Sequence, residues 1–442
     1  MPRTSFLLAF AALLAVLAAP VGTADGPKAP GKKPAVRTHA EVIVRALRRL
    51  DEDCASTARD MNEQHRIFTL SIAALCFLLD PTGNKGTVHA DRLDKALDAI
   101  GRYVDGAAAA FARAPSKGDD PMAAFEWSQT TWSLGAAGIL YAELQARGQR
   151  KGEAGKRLKQ IADLLARHQQ PDGGFGHDKE GRPRIPEIQM PDGTKMKYPA
   201  TLLSASNWAC TALGLARPLA GKKLDPVVAK AKAYYAASAS TTGTYPYDPS
   251  QKGSSFDGDV TQAARTAGSY VALRALGVPA REKSLTRTAS FLERKVADLP
   301  EGHGSSPHGV FFGAIATLQI GGKARAEFEK SILPRIQEAQ DEETGALDCI
   351  CKHDGGTTCE SFKNGENVTL KMMGGDWGVW VRAYVTSLNL FALLAEKGKL
   401  RLLDGIPPDV GGPGAATTPD ETPPGGAPPS ADPKKPDGPM VK

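Results

Sequence analysis

The feature that most constrains the fold of this chain is an alternation between two kinds of helical segment, repeated six times. Segments of the first kind are amphipathic. Ile43, Leu47 and Leu50, for example, recur at helical spacing among arginines, so one face of the helix is apolar and the other is exposed to solvent. Segments of the second kind carry no formal charge over their central turns and are rich in Ala, Gly, Ser and Thr. A helix that is apolar all round is buried all round, and small residues let neighbouring helices approach closely. The amphipathic segments span 40–50, 90–104, 158–165, 226–237, 282–296 and 324–340, and the apolar segments span 67–79, 128–141, 201–215, 266–273, 308–322 and 383–395.

An alternation of this kind has a simple geometric solution, in which an inner ring of parallel helices is enclosed by an outer ring that runs the opposite way. The sequence therefore predicts an all-α fold, an α/α toroid in the form of a double-layered barrel of about six helical hairpins. An open α-solenoid also stacks hairpins, but both helices of each pair then usually keep a solvated face. The apolar segments thus favour the closed barrel.

The N-terminal residues do not belong to this barrel. Residues 1–24 combine Arg3, an apolar run from Phe6 to Ala19, and small residues before Ala24, which is typical of a secretory signal peptide. A membrane anchor is the alternative, but the run stops at Pro20, short of the roughly 20 apolar residues that span a bilayer. We expect cleavage near Ala24, a secreted or periplasmic protein, and no stable membrane span afterwards.

Composition divides the rest of the chain into three parts. Residues 25–34 are rich in Pro, Lys and Gly and are predicted to be a linker, and residues 35–403 form the toroid domain. Residues 404–442 are rich in Pro and Gly and hold almost no large apolar side chains, so they are predicted to be a disordered tail.

Charge and motifs exclude several classes of function. The net charge of +6 is mild, and the basic residues are spread over helical faces without interleaved aromatics, so no nucleic-acid partner is expected. No phosphate-binding loop, nucleophile elbow or His-Glu-any-any-His helix occurs, and no cofactor is predicted.

The segment that follows the third amphipathic helix carries a resemblance to a known family. Leu165, Gln169, Gly173 and Phe175 have the spacing of the QW repeat and resemble that element of the squalene cyclase and protein prenyltransferase superfamily, whose barrels are α/α toroids. The chain has Leu164 where an aromatic is usual, and Phe where Trp is more common. The resemblance implies a structural role: glycine permits a sharp turn, the ring packs on the next helix end, and the Gln amide satisfies backbone groups. Weaker matches to the QW repeat lie at 243–245, 340–348 and 375–377.

Two acids ahead of an apolar segment are the candidate catalytic residues. Asp257 and Asp259, followed by Val260 and Thr261, are similar to the acid motif of class II terpene cyclases, Asp-any-Asp-Asp followed by Thr, with the last Asp replaced. The resemblance implies that Asp259 would be the proton donor, kept protonated by its acidic neighbour. The competing interpretation is an ordinary helix cap supplied by Asp or by Thr261.

A cysteine-rich segment leaves two interpretations open. Protein prenyltransferases hold zinc through an Asp-any-Cys pair and a His, but Asp348 directly abuts Cys349 here, so that spacing is absent. Cys349, Cys351, His353 and Cys359 still have the types and number of ligands for a tetrahedral zinc site. In an oxidising compartment we expect instead a disulfide that joins Cys359 to Cys349 or to Cys351.

The function predicted from these observations is an exported toroid, without established catalysis, that binds a small molecule, lipid or peptide in its central cavity, with a protein partner as a further option. Whether it is an enzyme stays open, because the cyclase and prenyltransferase motifs are incomplete. The alternatives are a degenerate terpene cyclase that uses Asp259, and a glycan-active hydrolase or lyase that uses paired carboxylates and tryptophan platforms. The residues predicted to line the cavity are Trp127, Trp132, His177, Trp208, Gln262, His308, Asp376, Trp377 and Trp380.

Overall fold

A computed structural model describes most of the predicted barrel. The described residues are 37–56, 63–80, 88–112, 130–176, 187–189, 195–197, 201–246, 259–301, 306–351, 378–397 and 400–405. They all belong to one compact unit, which extends to Pro408. The predicted signal peptide, the linker and nearly all of the predicted tail lie outside the described residues. Within those residues, no helix combines the length and the apolar character needed to cross a bilayer.

The helices alternate between an outer and an inner layer, as the sequence predicts. The outer helices are α1 (His39–Ala55), α3 (Val88–Ala112), α5 (Lys151–His168), α7 (Asp225–Ser238), α9 (Lys283–Lys295) and the pair α11 (Gly322–Ser331) and α12 (Leu333–Glu338). The inner helices are α2 (Glu63–Leu79), α4 (Thr130–Ala146), α6 (Leu203–Ala220), α8 (Asp259–Ala275), α10 (Ser306–Ile320) and α13 (Gly378–Lys397).

The inner helices form a closed ring. Going round it, α2 packs on α4, α4 on α6, α6 on α8, α8 on α10 and α10 on α13, and α13 packs back on α2 and on α1. An open solenoid has no contact between its last and first hairpins, so this contact distinguishes the two architectures. The fold is an α/α toroid of six helical hairpins.

Small residues explain how the inner helices come so close. A Cβ atom added to Gly135 on α4 would lie 2.7 Å from the carbonyl carbon of Trp208 on α6, and one added to Gly214 would lie 2.3 Å from that of Ala275 on α8. Real Cβ atoms do not approach other atoms so closely, so any larger side chain would push the helices apart. The glycines of the apolar segments are therefore part of the packing of the ring.

Two local features differ from the sequence-based expectation. The sixth outer segment, predicted as one helix, is broken into α11 and α12 beside Pro334, which has no N–H to donate within a continuous helix. A small antiparallel hairpin of β1 (Glu187–Gln189) and β2 (Lys195–Lys197) also occurs between α5 and α6, and no pattern predicted it.

The turn after α5 ties three helices together. The amide of Gln169 donates to the carbonyl oxygen of Gly173 at 3.0 Å and to that of Val227 on α7 at 2.9 Å. Gly173 has a φ of 93°, and a Cβ there would lie 2.2 Å from a backbone oxygen of α7. The backbone N–H of the fully buried Phe175 donates to the hydroxyl of Ser206 on α6 at 2.9 Å. These residues have the structural roles that the sequence analysis expected for them.

The turn after α7 repeats this arrangement with different side chains. A threonine hydroxyl replaces the glutamine amide: Thr288 on α9 donates to the carbonyl oxygen of Gly243 at 2.9 Å. The backbone N–H of the buried Tyr245 donates to the hydroxyl of Thr266 on α8 at 3.2 Å.

The turn after α12 uses the same contacts to close the outer ring. The amide of Gln340 donates to the carbonyl oxygens of Gly345 at 3.0 Å and Val42 at 2.9 Å, and Val42 lies on the first outer helix, α1. The backbone N–H of the buried Leu347 donates to the hydroxyl of Thr386 on α13 at 3.1 Å. The last turn therefore contacts the first helix as the earlier turns contact the helices that follow them.

A buried ion pair joins the first and last helices. The carboxylate of Asp53 on α1, 1% exposed, accepts two hydrogen bonds from the guanidinium of Arg382 on α13, at 2.6 and 2.9 Å. Arg49, one turn earlier on α1, donates to the same carboxylate at 2.5 Å.

Candidate functional site at the barrel mouth

Aromatic side chains from the first turns of the inner helices converge at one end of the barrel, here called the mouth. The imidazole of His308 on α10 lies at their centre. Its ring centroid is 4.9 Å from that of Trp132, 5.4 Å from those of Phe68 and Trp208, and 5.7 Å from that of Tyr384. With His65, whose ring lies 5.3 Å from that of Tyr384, we call these six residues the aromatic cluster. Because it draws on helices α2, α4, α6, α10 and α13, it depends on the closure of the ring.

Hydrogen bonds determine which nitrogen of His308 carries the proton. The indole N–H of Trp208 can only donate, and it points to Nδ1 of His308 at 3.4 Å. Nδ1 is then the acceptor, so in the neutral imidazole the proton is on Nε2. That N–H donates to the hydroxyl oxygen of Tyr384 at 2.5 Å.

Burial keeps this pair uncharged. It lowers the pKa of His308 to about 3, with a smaller contribution from the nearby His65, because the low-dielectric surroundings disfavour the imidazolium ion. Burial also raises the pKa of the Tyr384 hydroxyl well above its ordinary value. Near neutral pH the pair is therefore a neutral donor and acceptor, and neither group is tuned to exchange protons in that range.

The space beside the cluster, between the inner helices, is small. Ser204, Asn207, Arg265 and His308 are among the residues that line a cavity of about 10 Å³, which is room for about one water molecule. The amide of Asn207 is held firmly there: it donates to the carbonyl oxygen of Arg265 at 3.1 Å and accepts from the hydroxyl of Tyr235 at 2.8 Å. This cavity beside His308 is therefore too small to enclose a drug-sized molecule.

The outer surface of the cluster is partly open. His65 and Trp132 are half-buried, whereas Trp208 is fully buried beneath them. Four long sequence intervals separate an outer helix from the inner helix that follows it, and such intervals commonly carry binding residues. They span 113–129, 169–202, 239–258 and 339–377, whereas the opposite end has short connections such as 147–150 and the single residue Gly321.

The structure brings together several residues that the sequence analysis selected as cavity lining. Trp132, Trp208 and His308 meet in the aromatic cluster. Gln262 lies on α8, the one inner helix that contributes no ring to the cluster, and is 8% exposed. Trp380 on α13 is 1% exposed, with the Arg66 guanidinium 6.0 Å above its ring. The buried tryptophans, 208 and 380, therefore present no free surface to a ligand in this structure.

Most of the other predicted site residues lie outside the described part of the chain. Asp259 is the first residue of α8 and so lies at the start of an inner helix, but its side chain is not described. The predicted residues outside the described ranges are Trp127, His177, Asp257, His353, Cys359, Asp376 and Trp377.

One cysteine of the cysteine-rich segment is in a disulfide. Cys351 is disulfide-bonded, and its partner lies outside the described residues, whereas Cys349 carries a reduced thiol. Cys351 is one of the two cysteines that the sequence analysis expected to pair with Cys359, and Cys359 itself lies outside the described residues. Among the residues that the structure describes, no three His, Cys, Asp or Glu side chains are grouped to hold a metal ion.

Sequence reasoning missed half of the aromatic cluster. His65, Phe68 and Tyr384 lie near the starts of apolar segments, and no motif distinguishes them. The signal that could have found them is positional: polar or aromatic side chains near the N-terminal end of each inner helix share the mouth.

Comparison with known proteins gives a likeness among solved structures. No protein-family model matches the sequence, and no curated protein matches it. Among solved structures, the chain is similar to a type II terpene cyclase from Scytonema, in complex with its substrate geranylgeranyl dihydroxybenzoate. The TM-score is 0.41 and the sequence identity is 14%, over 80% of this chain and 97% of that chain.

Proposed function

We propose that this protein is a ligand-binding toroid without a catalytic role, which binds an apolar or aromatic small molecule, lipid or peptide at the barrel mouth. The observation that carries the proposal is the aromatic cluster. Its rings converge from five inner helices, yet Trp132 and His65 keep part of their surface open. Partly exposed aromatic side chains favour apolar and π-stacking ligands.

The size of the cavity favours binding at the mouth over binding deep in the barrel. Pockets that enclose a small molecule usually have volumes of about 300–1,000 Å³. The space between the inner helices beside His308 is about 10 Å³. A ligand of ordinary size would therefore lie on the aromatic cluster.

The electrostatics of the centre also favour binding. His308 and Tyr384 are neutral partners of each other, which suits a rigid floor better than a proton-transfer site. The glycan alternative would need several tryptophan faces as sugar platforms, and among the described tryptophans Trp208 and Trp380 are buried whereas Trp132 is partly exposed. The proposal retains export, on the basis of residues 1–24, and kinship with the squalene cyclase and prenyltransferase repeats, on the basis of the Gln169 turn.

Native mass spectrometry of the protein purified from its own host tests the proposal. We expect a mass greater than that of the chain alone, because a non-covalently bound ligand is retained. Trp132→Ala removes the partly exposed ring and should abolish that added mass, whereas Arg48→Ala, a control at a position on α1 that is 84% exposed, should retain it. Thermal unfolding of each variant shows whether the fold is intact. A wild-type protein with no retained mass, or a Trp132→Ala protein that keeps it, would overturn the proposal.

A further inference from the structure

The end of the barrel opposite the mouth, here called the far end, concentrates the positive charge of the chain. It is formed by the C-terminal ends of the inner helices and the short connections that follow them. The described residues at this end span 147–151, 217–225, 274–283, 321–325 and 400–405. These five ranges hold twelve Lys and Arg residues and three Asp and Glu residues. Their excess of nine positive charges is larger than the net charge of +6 of the whole chain, so the rest of the chain is net negative.

Contacts join these ranges into one surface. A Cβ atom added to Gly277 would lie 3.6 Å from Nη1 of Arg217, so the connections that follow α6 and α8 are adjacent. The backbone N–H of Arg401 donates to the carboxylate of Glu143 on α4 at 3.0 Å, which holds the last range against the first. Because the inner helices pack in a closed ring, the connections follow one another around the far end.

Ion pairs neutralise some of the cations at the far end but leave six of them exposed. Arg217, for example, pairs with Asp225 at 3.0 Å. Glu282 and Asp404 are exposed acids of this end, and the side chain of Glu282 caps α9. Among the residues that the structure describes, six exposed cations form no ion pair, and each of the five ranges supplies at least one of them: Lys151, Lys222, Arg281, Lys283, Lys323 and Arg401.

Helix stability does not explain three of these cations. Lys151, Lys283 and Lys323 lie in the first turns of the outer helices α5, α9 and α11. The N-terminus of a helix carries a partial positive charge, so these positions favour Asp and Glu over Lys. The three lysines therefore lie where helix formation disfavours them, which favours a role in contacts outside the chain.

The arrangement of the six cations fits an extended anionic surface. A small anion is bound where several donors converge on one point, whereas these cations are distributed around a ring of connections. The five ranges contain no Phe, Tyr or Trp on which nucleic-acid bases could stack. They do contain accessible apolar side chains, since Pro279 is exposed and Leu219 and Val278 are half-buried. Cations with apolar side chains beside them are typical of surfaces that bind the headgroup region of an anionic bilayer.

We propose that the far end of the barrel is a docking surface for an anionic lipid bilayer, bound peripherally and without insertion of a helix. In this orientation the mouth points away from the bilayer, so the ligand site proposed there stays open to solvent. The docking surface does not depend on that site, because the two lie at opposite ends of the barrel. The attraction is electrostatic, and salt therefore weakens it.

Sedimentation with lipid vesicles measures docking directly. The protein purified from its own host is mixed with vesicles made of equal parts of phosphatidylglycerol and phosphatidylcholine, or of phosphatidylcholine alone. We expect it to sediment with the mixed vesicles in about 0.1 M salt and to stay in the supernatant with phosphatidylcholine alone. Raising the salt to about 1 M should release it, because the Debye length falls from about 10 Å to about 3 Å.

Two variants with the same change in net charge test whether the far end is responsible. The far-end variant combines Lys151→Gln, Lys222→Gln, Lys283→Gln and Lys323→Gln. The control variant changes four exposed cations further along the outer helices α5, α7, α9 and α11, and combines Lys159→Gln, Lys230→Gln, Arg294→Gln and Lys330→Gln. Each cation near an anionic membrane strengthens binding about fivefold, so the far-end variant should bind several-hundred-fold more weakly, whereas the control variant should bind like the wild type.

Thermal unfolding of both variants checks that the fold is unchanged. The proposal is overturned if the wild type sediments no more with the mixed vesicles than with phosphatidylcholine alone, or if the two variants lose binding equally. Binding to soluble polyphosphate without binding to the mixed vesicles would assign the far end to a soluble polyanion, and would also overturn the proposal.

Discussion

The ion pair between the first and last helices of the ring gives the sharpest test of how the toroid is closed. Asp53 is buried on α1 and accepts hydrogen bonds from Arg382 on α13 and from Arg49 on its own helix. Asp53→Asn keeps the size of the side chain but removes the negative charge that both guanidiniums contact. We expect a large loss of stability from this single substitution.

The magnitude follows from burial. Removing one member of a buried ion pair costs about 3–5 kcal/mol, because the remaining charge is left uncompensated. The side chains of Arg49 and Arg382 are 20% and 18% exposed, so water can partly solvate them after the change. The lower end of the range applies, and we predict a loss of about 3 kcal/mol in the free energy of unfolding.

A double-mutant cycle in urea separates the contact from other effects. Asp53→Asn, Arg382→Met and the double variant are compared with the wild type, and we expect an interaction energy of about 2 kcal/mol between the two positions. The matched control is the ion pair of Arg48 and Glu52 on α1, whose side chains are 84% and 48% exposed. Its removal by Arg48→Gln should cost at most about 0.5 kcal/mol.

The result that refutes this reasoning is additivity. If the two single changes sum to the effect of the double change within about 0.5 kcal/mol, the two side chains do not interact in solution. Equal costs for Asp53→Asn and Arg48→Gln would likewise show that burial of the pair does not set its strength.

Three further predictions concern other parts of the barrel. Gln340→Ala removes hydrogen bonds to two backbone carbonyls, one of them on α1, and should lower the free energy of unfolding by about 1–3 kcal/mol, measured in urea; an unchanged midpoint would contradict it. The carboxylate of the buried Glu143 accepts hydrogen bonds from the backbone N–H groups of Arg401 and Leu402 at 3.0 and 2.6 Å. Glu143→Gln weakens these bonds and should speed tryptic cleavage after Arg401. An unchanged cleavage rate would show that these hydrogen bonds do not hold the segment in place. The folded pKa of His308, about 3, lies below its unfolded value of about 6.5, so the unfolded chain binds a proton between these pH values that the folded chain does not. Stability should therefore fall as the pH falls, by up to about 1.4 kcal/mol per pH unit, and His308→Gln should remove this contribution; equal pH slopes for the two proteins would refute the burial of a neutral imidazole.

The sequence predicts the ring better than it predicts the mouth, for a physical reason. A helix that is buried on every side has an apolar composition, so segments such as 201–215 could be assigned to the inner layer. Gly173 and Gln169 could be assigned to a turn from their spacing. Which side chains meet at the axis depends on the rotation of each helix about its own axis, and composition does not encode that rotation. Trp208 lies within an apolar segment and Trp380 just before another, yet of these two only Trp208 contacts His308.

The contact between Tyr384 and His308 shows the limit most clearly. These residues are 76 positions apart, and they meet because α10 and α13 are neighbours in the closed ring. Periodicity within either segment carries no information about that distance. The hairpin of β1 and β2 was missed for a different reason, since three-residue strands are too short for an alternating pattern to be recognised.

The closed ring is the central claim, and hydrogen–deuterium exchange of the wild type and Asp53→Asn tests it most directly. In a closed ring α1 and α13 are in contact although they are the first and last helices along the sequence. The substitution should therefore speed amide exchange in both helices, with α13 most affected around Arg382. In an open stack of hairpins, the faster exchange would be confined to α1 and its sequence neighbour α2, and that result would contradict the toroid.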